Sequence, residues 1–194
     1  WMSFFKFKNP IIILFAPNPI SLSIVKKINY DLLNYYVADN MLLSARSNQG
    51  VIKKCEDAII KKSDVIVYTS SNLKNKFTNI NKNHHFLSNG VNINRFQNIN
   101  LKKQKKNKFV IGFVGSIRGT IDENLIIYLA KKFPQDQIIF VGPIVEPLHL
   151  VIKKKFKNIS FLKEVSHKKI PNIMKNFDVG LLPLKTNDFT HSIF

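Results

Sequence analysis

The chain has 194 residues, 45% of them apolar and 22% charged, and carries a formal net charge of +18. That composition admits a buried core in one large or two small domains and excludes global disorder. No apolar run approaches the roughly 20 residues a membrane-spanning helix needs, and the single cysteine, Cys55, excludes an internal disulfide, so a reduced, cytosolic compartment is the expectation.

The first residues, Trp1 to Lys6, lack the pattern of a secretory signal. Ile11 to Ala16 then reads as a strand running into Pro17-Asn18-Pro19, a turn able to start a helix that carries Leu22, Ile24, Val25 and Ile28. Leu32 to Ala38 reads as a second strand, ending at Asp39-Asn40. Val51, Ile52, Cys55, Ile59 and Ile60 recur at helical spacing, which predicts an amphipathic helix over 48–62. Glu56 on that helix is expected to pair with Lys53 or Lys61 in a structural role. Val65 to Thr69 is a third strand, after which Ser70-Ser71-Asn72 caps a short helix containing Leu73 and Phe77. A fourth short strand near His85 to Leu87 closes at Ser88-Asn89-Gly90.

Apolar periodicity is weak from Val91 to Asn107 and resumes at Lys108, so residues 1–93 form one expected domain, 94–107 a linker and 108–194 a second domain. The second domain opens on a repeated unit. Phe109 to Val114 is a continuous apolar strand that stops at Gly115-Ser116, a helix runs from about Asp122 to Lys132, and Ile138 to Val141 stops at Gly142-Pro143. Unbroken apolar strands call for cover on both faces, the mark of a parallel sheet. Ligands of open α/β sheets sit beyond the strands' carboxyl ends, where a glycine lets main chain approach closely. Further on come a helix over 146–155, a strand over 159–162, a helix over 167–176, a strand over 179–182 and a loop from Lys185 to Thr190.

The order of short motifs then becomes specific. Asp39 follows a strand; Glu56 precedes Ser63-Asp64-Val65-Ile66 and Thr69-Ser70; Asn89-Gly90-Val91-Asn92 comes with Phe96. Then follow Gly112-Phe113-Val114-Gly115, Phe140-Val141-Gly142-Pro143, Asn158-Ile159-Ser160-Phe161-Leu162 and Phe177-Asp178-Val179-Gly180-Leu181-Leu182-Pro183. From about Asn9 onward this resembles a bacterial glycosyltransferase of the GT-B fold, of the kind that builds teichuronic acid and other surface polysaccharides. The resemblance implies an α/β chain of two Rossmann-like parallel-sheet domains, both incomplete, with the acceptor on the first and a nucleotide-sugar donor on the second. It further implies a chain cut at both ends and inactive alone, working in the cytoplasm or at the inner face of the cell membrane. Two positions depart from the pattern: Lys163 stands where relatives often have glycine, and Arg118 alone represents the basic residue common after the first glycine turn.

Glycosyl transfer releases a nucleoside diphosphate, so the site must stabilise developing negative charge. Main-chain amides of the Gly115-Ser116 turn, a helix start and the Arg118 guanidinium suit that task. Gly142-Pro143 is expected to border the base or sugar, Glu164-Val165 to hold the base, and Asn187 and Thr190 to approach the phosphates. Asp39 is the acceptor-side candidate, weighed against a turn role. No catalytic base is assigned. The donor is expected to be a UDP- or GDP-sugar, the acceptor a glycan or lipid-linked saccharide, with no permanent cofactor and no metal. His84, His85, His149, His167 and His191 have no partners at zinc-ligand spacing, no Asp-x-Asp pair exists, and neither a P-loop nor a complete dinucleotide fingerprint occurs. The alternative reading is a non-catalytic basic module binding nucleic acid or anionic membrane. With 27 lysines against 3 arginines, base-reading forks are scarce, which disfavours nucleic acid; a decayed gene product is the third possibility.

Overall fold

A computed structural model describes residues 8–43, 48–77, 79–80, 83–97, 108–145 and 155–193. The expected helix over 146–155 and the lysine-rich run 102–108 fall almost wholly outside them. The chain separates into two compact units, Trp1–Gly90 together with Thr186–Phe194, and Val91–Lys185. The described residues of the expected linker, 94–97, group with the second unit, and residues 186–193 with the first.

The first unit holds a parallel sheet of β1 (Ile11–Leu14), β2 (Leu32–Val37), β3 (Val65–Tyr68) and β4 (His84–Phe86), paired in that spatial order. Between them lie α1 (Pro19–Lys27), α2 (Gln49–Lys62) and a 3₁₀ helix at Ser71–Lys76. Local chemistry sets the starts. Side-chain oxygens of Asn18, Asn48 and Ser70 accept from the amides of Ser21, Val51 and Asn72, satisfying first-turn donors that the helix itself cannot. Each step moves the same way across the sheet. Right-handed crossovers in one direction put every helix on one face, and Val25, Ile59, Ile60, Leu73 and Phe77 accordingly share a core with Leu33, Tyr35, Val37, Ile66 and Tyr68. The other face carries Ile11 and Ile13, which are 67% and 55% exposed.

A buried polar cluster sits in this core. Glu56 does not pair with Lys53 or Lys61: it is 1% exposed and accepts from the Tyr35 hydroxyl at 2.7 Å and from Lys76 Nζ at 2.8 Å. Lys53 pairs instead with Asp57, one turn along the exposed helix face. Lys76 also donates to Asn40 Oδ1. Burial, and after it the Glu56 charge, pushes the Tyr35 hydroxyl far above the ordinary tyrosine range, so it stays a donor.

The second unit contains a short α3 (Asn94–Gln97) and a parallel sheet of β5 (Val110–Val114), β6 (Gln137–Val141), β7 (Ile159–Leu162) and β8 (Val179–Gly180), in the spatial order β7-β6-β5-β8. Between β5 and β6 runs α4 (Glu123–Lys132), capped by Asp122, and before β8 runs α5 (Ile170–Met174). The chain steps outward from β5 to β7 and then returns to the far side of β5. That reversal sends the last crossover to the opposite face. Ile126 and Ala130 of α4 pack with Ile111, Phe113 and Phe140, whereas Phe177 lies against the other face, its ring 2.1 Å from where a Cβ on Gly112 would be. Two elements are shorter than their sequence patterns predict. The helix begins only at Ile170 because Ser166–Lys169 closes as a turn and Pro171 sits in the first helical turn. β8 stops at Gly180, since it pairs only with Ile111 and Gly112 and Pro183 follows.

Candidate functional site

The strand ends of the second sheet build the site. Beyond β5, β6 and β7 lies a cavity of about 320 Å³ lined by Val114, Gly115, Ser116, Val141, Gly142 and Pro143, with Glu164, Val165, His167 and Ile170 on its other side. The glycines are there for the protein's own packing. Gly142 adopts φ +146°, and a Cβ on it would stand 2.1 Å from the Gly115 carbonyl oxygen. A Cβ on Gly115 would meet the Phe113 ring at 2.8 Å. Two glycine turns can thus touch, main chain to main chain, and close the floor of the cavity.

Hydrogen bonding then singles out one residue. The Gly115 amide donates to the Val141 carbonyl and the Ile117 amide to the Pro143 carbonyl, each at 2.9 Å. The Ser116 amide and hydroxyl between them have no partner among the described residues. The same holds for the amides of Glu164 and Val165 across the cavity. Unpaired donors at a half-buried turn suit an anion or a hydrogen-bonding ring. The expected contribution of the α4 start is different: a loop separates that helix from Ser116. Its Leu125 amide is taken by Asp122 Oδ1, and Glu123 follows in the first turn, so this end is already supplied with negative charge.

Of the residues singled out from sequence, Gly115, Ser116, Gly142, Pro143, Glu164 and Val165 come together around the cavity. Arg118 does not line it. It is exposed in the following loop, beyond the buried Ile117, and its carbonyl accepts from the Ile121 amide. Asn187 and Thr190 group with the first unit, where they form the reciprocal cap of α6 (Asp188–His191): each side chain accepts from the other's amide. Asn72 Nδ2 ties the carbonyl of His191 to the 3₁₀ helix. Asp39 is half-buried in the bend after β2, beside Asn40, which receives Lys76.

His167 and Ile170 line the cavity and were not singled out as donor residues. Their position just past the carboxyl end of β7 is the sequence signal that marks them. Among the described residues no group of three His, Cys, Asp or Glu side chains could hold a metal ion.

No family model matches the chain. Over 172 residues it is 24% identical to TuaH of Bacillus subtilis (strain 168), whose name assigns it to teichuronic acid biosynthesis as a glycosyltransferase; the match covers 78% of this chain and 43% of that one. Among solved structures it resembles HepE of Anabaena in complex with UDP-glucose, at a TM-score of 0.63 and 18% identity, over 87% of this chain and 52% of that one. It also resembles the catalytic domain of starch synthase IV from Arabidopsis thaliana bound to ADP and acarbose, at a TM-score of 0.64 and 11% identity, over 94% and 53%. The chain thus spans about half the length of the proteins it matches. The likeness in structure gives the fold: two parallel α/β sheets of the GT-B arrangement, present in part.

Proposed function

We propose that the chain belongs to a glycosyltransferase that moves a sugar from a nucleoside-diphosphate donor to a polysaccharide or lipid-linked acceptor, and that the second sheet holds the donor. The observation that carries this reading is the cavity at the ends of β5, β6 and β7, with the unpaired amide and hydroxyl of Ser116 on one wall and the unpaired amides of Glu164 and Val165 on the other. Strand ends are where open α/β sheets bind nucleotides. Ser116 would receive a phosphate oxygen, the amides of Glu164 and Val165 would hold the polar edge of the base, and Val141, Val165 and Ile170 would supply its apolar wall. Arg118, exposed two residues beyond Ser116, brings a guanidinium to the developing diphosphate charge. The named relatives agree in kind, since two of the solved structures hold UDP-glucose or ADP. Surface-glycan assembly at the cytoplasmic face of the membrane is the setting we propose for it.

Calorimetric titration with UDP, GDP and ADP tests the donor site directly. One of them should bind saturably and lose about tenfold in affinity in Ser116→Ala, the worth of one charge-assisted hydrogen bond. Arg118→Ala should weaken binding and its dependence on the diphosphate, with AMP or UMP little affected. Equal, unsaturable binding of all nucleotides, unchanged by Ser116→Ala, would remove the assignment.

A further inference from the structure

The buried polar cluster of the first unit reaches the carboxyl end of β2, the end at which parallel α/β sheets meet their ligands. The main chain of the bend that follows is fixed there. The Thr69 hydroxyl donates to the Ala38 carbonyl at 2.9 Å and the Thr69 amide to the Val37 carbonyl at 3.2 Å. The Leu43 amide closes a 3₁₀ turn, Met41–Leu43, on the Asn40 carbonyl at 3.0 Å. One side chain of the bend is fixed as well. Lys76 can only donate, so it is the oxygen of the Asn40 side-chain amide that faces it, 3.1 Å from Nζ. Lys76 is itself aimed: both carboxylate oxygens of Glu56 lie 2.8 Å from Nζ, and the Tyr35 hydroxyl holds Glu56 in turn. A buried ion pair adds little net stability over an apolar replacement, so position is the better account of its presence.

With its oxygen turned to Lys76, the planar Asn40 amide directs its NH2 group away from the cluster, and that group has no partner among the described residues. The Asp39 carboxylate, on the preceding residue of the same half-buried bend, has none among them either. Consecutive residues thus offer N–H donors and carboxylate acceptors. A hydroxyl both donates and accepts, so adjacent hydroxyls of a sugar ring match the two together, whereas an anion or an apolar group does not. We propose that Lys76 is a positioning residue for the acceptor: by holding the Asn40 oxygen it presents the Asn40 NH2 group, with the Asp39 carboxylate, to hydroxyls of an acceptor sugar. The inference rests on the reading of the chain as part of a sugar-transferring enzyme and adds a saccharide contact on the first unit. It uses neither the cavity nor Ser116, so the two fail separately.

The test is NMR of the nitrogen-labelled 194-residue chain, which reads the Asn40 side-chain NH2 directly. In the unaltered chain its heteronuclear NOE should be that of rigid backbone. Lys76→Met should lower it to that of a freely moving side chain, and Lys76→Arg should restore it, because a guanidinium also only donates. Methyl glycosides of glucose, galactose and N-acetylglucosamine are the probes. At least one should shift the Asn40 side-chain signals saturably, and its affinity should fall about tenfold in Asn40→Ala, the worth of a hydrogen bond left unmade. Lys76→Met should weaken it about fivefold although Asn40 is still present. Asn40→Ala leaves Lys76 paired with Glu56 and should change neither circular dichroism nor UDP binding, so the test holds even where Lys76→Met unfolds the chain. An Asn40 amide equally mobile with and without Lys76, affinity for the sugar that survives Asn40→Ala, or no response to any of the three sugars overturns the proposal. So does an equal response to glycerol, which would mark a site for any polyol. A sugar response without UDP binding would support this inference while striking the donor assignment.

Discussion

The two sheets are made from strands of similar apolarity and reach different surroundings. β1 reads Ile-Ile-Ile-Leu and β5 reads Val-Ile-Gly-Phe-Val, yet Leu14 alone is buried in β1, whereas four of the five residues of β5 are buried. The difference lies in the order of the strands. In the first sheet every crossover steps the same way and the helices gather on one face; in the second the chain reverses at β5, and Phe177 closes on the face that α4 leaves free. The cavity forms at the ends of β5, β6 and β7, with His167 and Ile170 of the returning crossover on its other side. Strand composition by itself therefore says that a face wants cover, and topology says which face receives it.

Truncating one strand residue in each sheet tests that contrast most strongly. Phe140→Ala, at a position with no exposed surface, should cost about 3–5 kcal/mol, while Ile13→Ala on the outward face of β1 should cost under about 1 kcal/mol. Urea unfolding monitored by hydrogen exchange in each sheet reads both, and equal costs would mean that the face of β1 is covered. A glycine pair sharpens the same point. Gly142→Ala puts a methyl 2.1 Å from a carbonyl oxygen at φ +146° and should lose at least about 2 kcal/mol together with nucleotide binding, whereas Gly180→Ala meets nothing within 4 Å and should stay within about 0.5 kcal/mol. Next in size is Lys76→Met, which leaves Glu56 buried without its cation. About 2 kcal/mol is expected, less than for a fully buried pair because the lysine side chain is 18% exposed. The smallest effect is on alkaline stability. Tyr35 is held neutral in the folded chain, its pKa raised, so its contribution is complete below the ordinary tyrosine value of about 10 and declines as pH rises above it. Tyr35→Phe should flatten that part of the stability–pH curve; an unaltered slope would locate the alkaline transition elsewhere.

Much of the local structure was legible residue by residue. Asn18, Asn48, Ser70 and Asp122 mark helix starts because a short polar side chain reaches its own following amides, an interaction spanning three residues or fewer. The glycine turns after β5 and β6 were equally plain, although Gly142 serves contact with Gly115 as well as any ligand. What escaped the sequence depended on distant partners. Glu56 had two lysines within helical reach and took Lys76 and Tyr35 instead, because only they share its buried side of the helix. The exception is local: Asn187 and Thr190, read as donor contacts, form a capping box three residues apart at the start of α6. His167 enters the site only because β7 and α5 carry it to the cavity.

By itself, then, the chain's sequence determined where most strands lie, where the side-chain-capped helices α1, α2 and α4 begin, and where main chain turns tightly at glycine. These follow from hydrogen bonds and side-chain periodicities that act over a few residues. Only the tertiary structure decided which strand face is covered, which lysine meets the buried glutamate, and which loops close on Ser116. Those depend on the direction and hand of crossovers between strands far apart in the chain, and no short-range pattern encodes them.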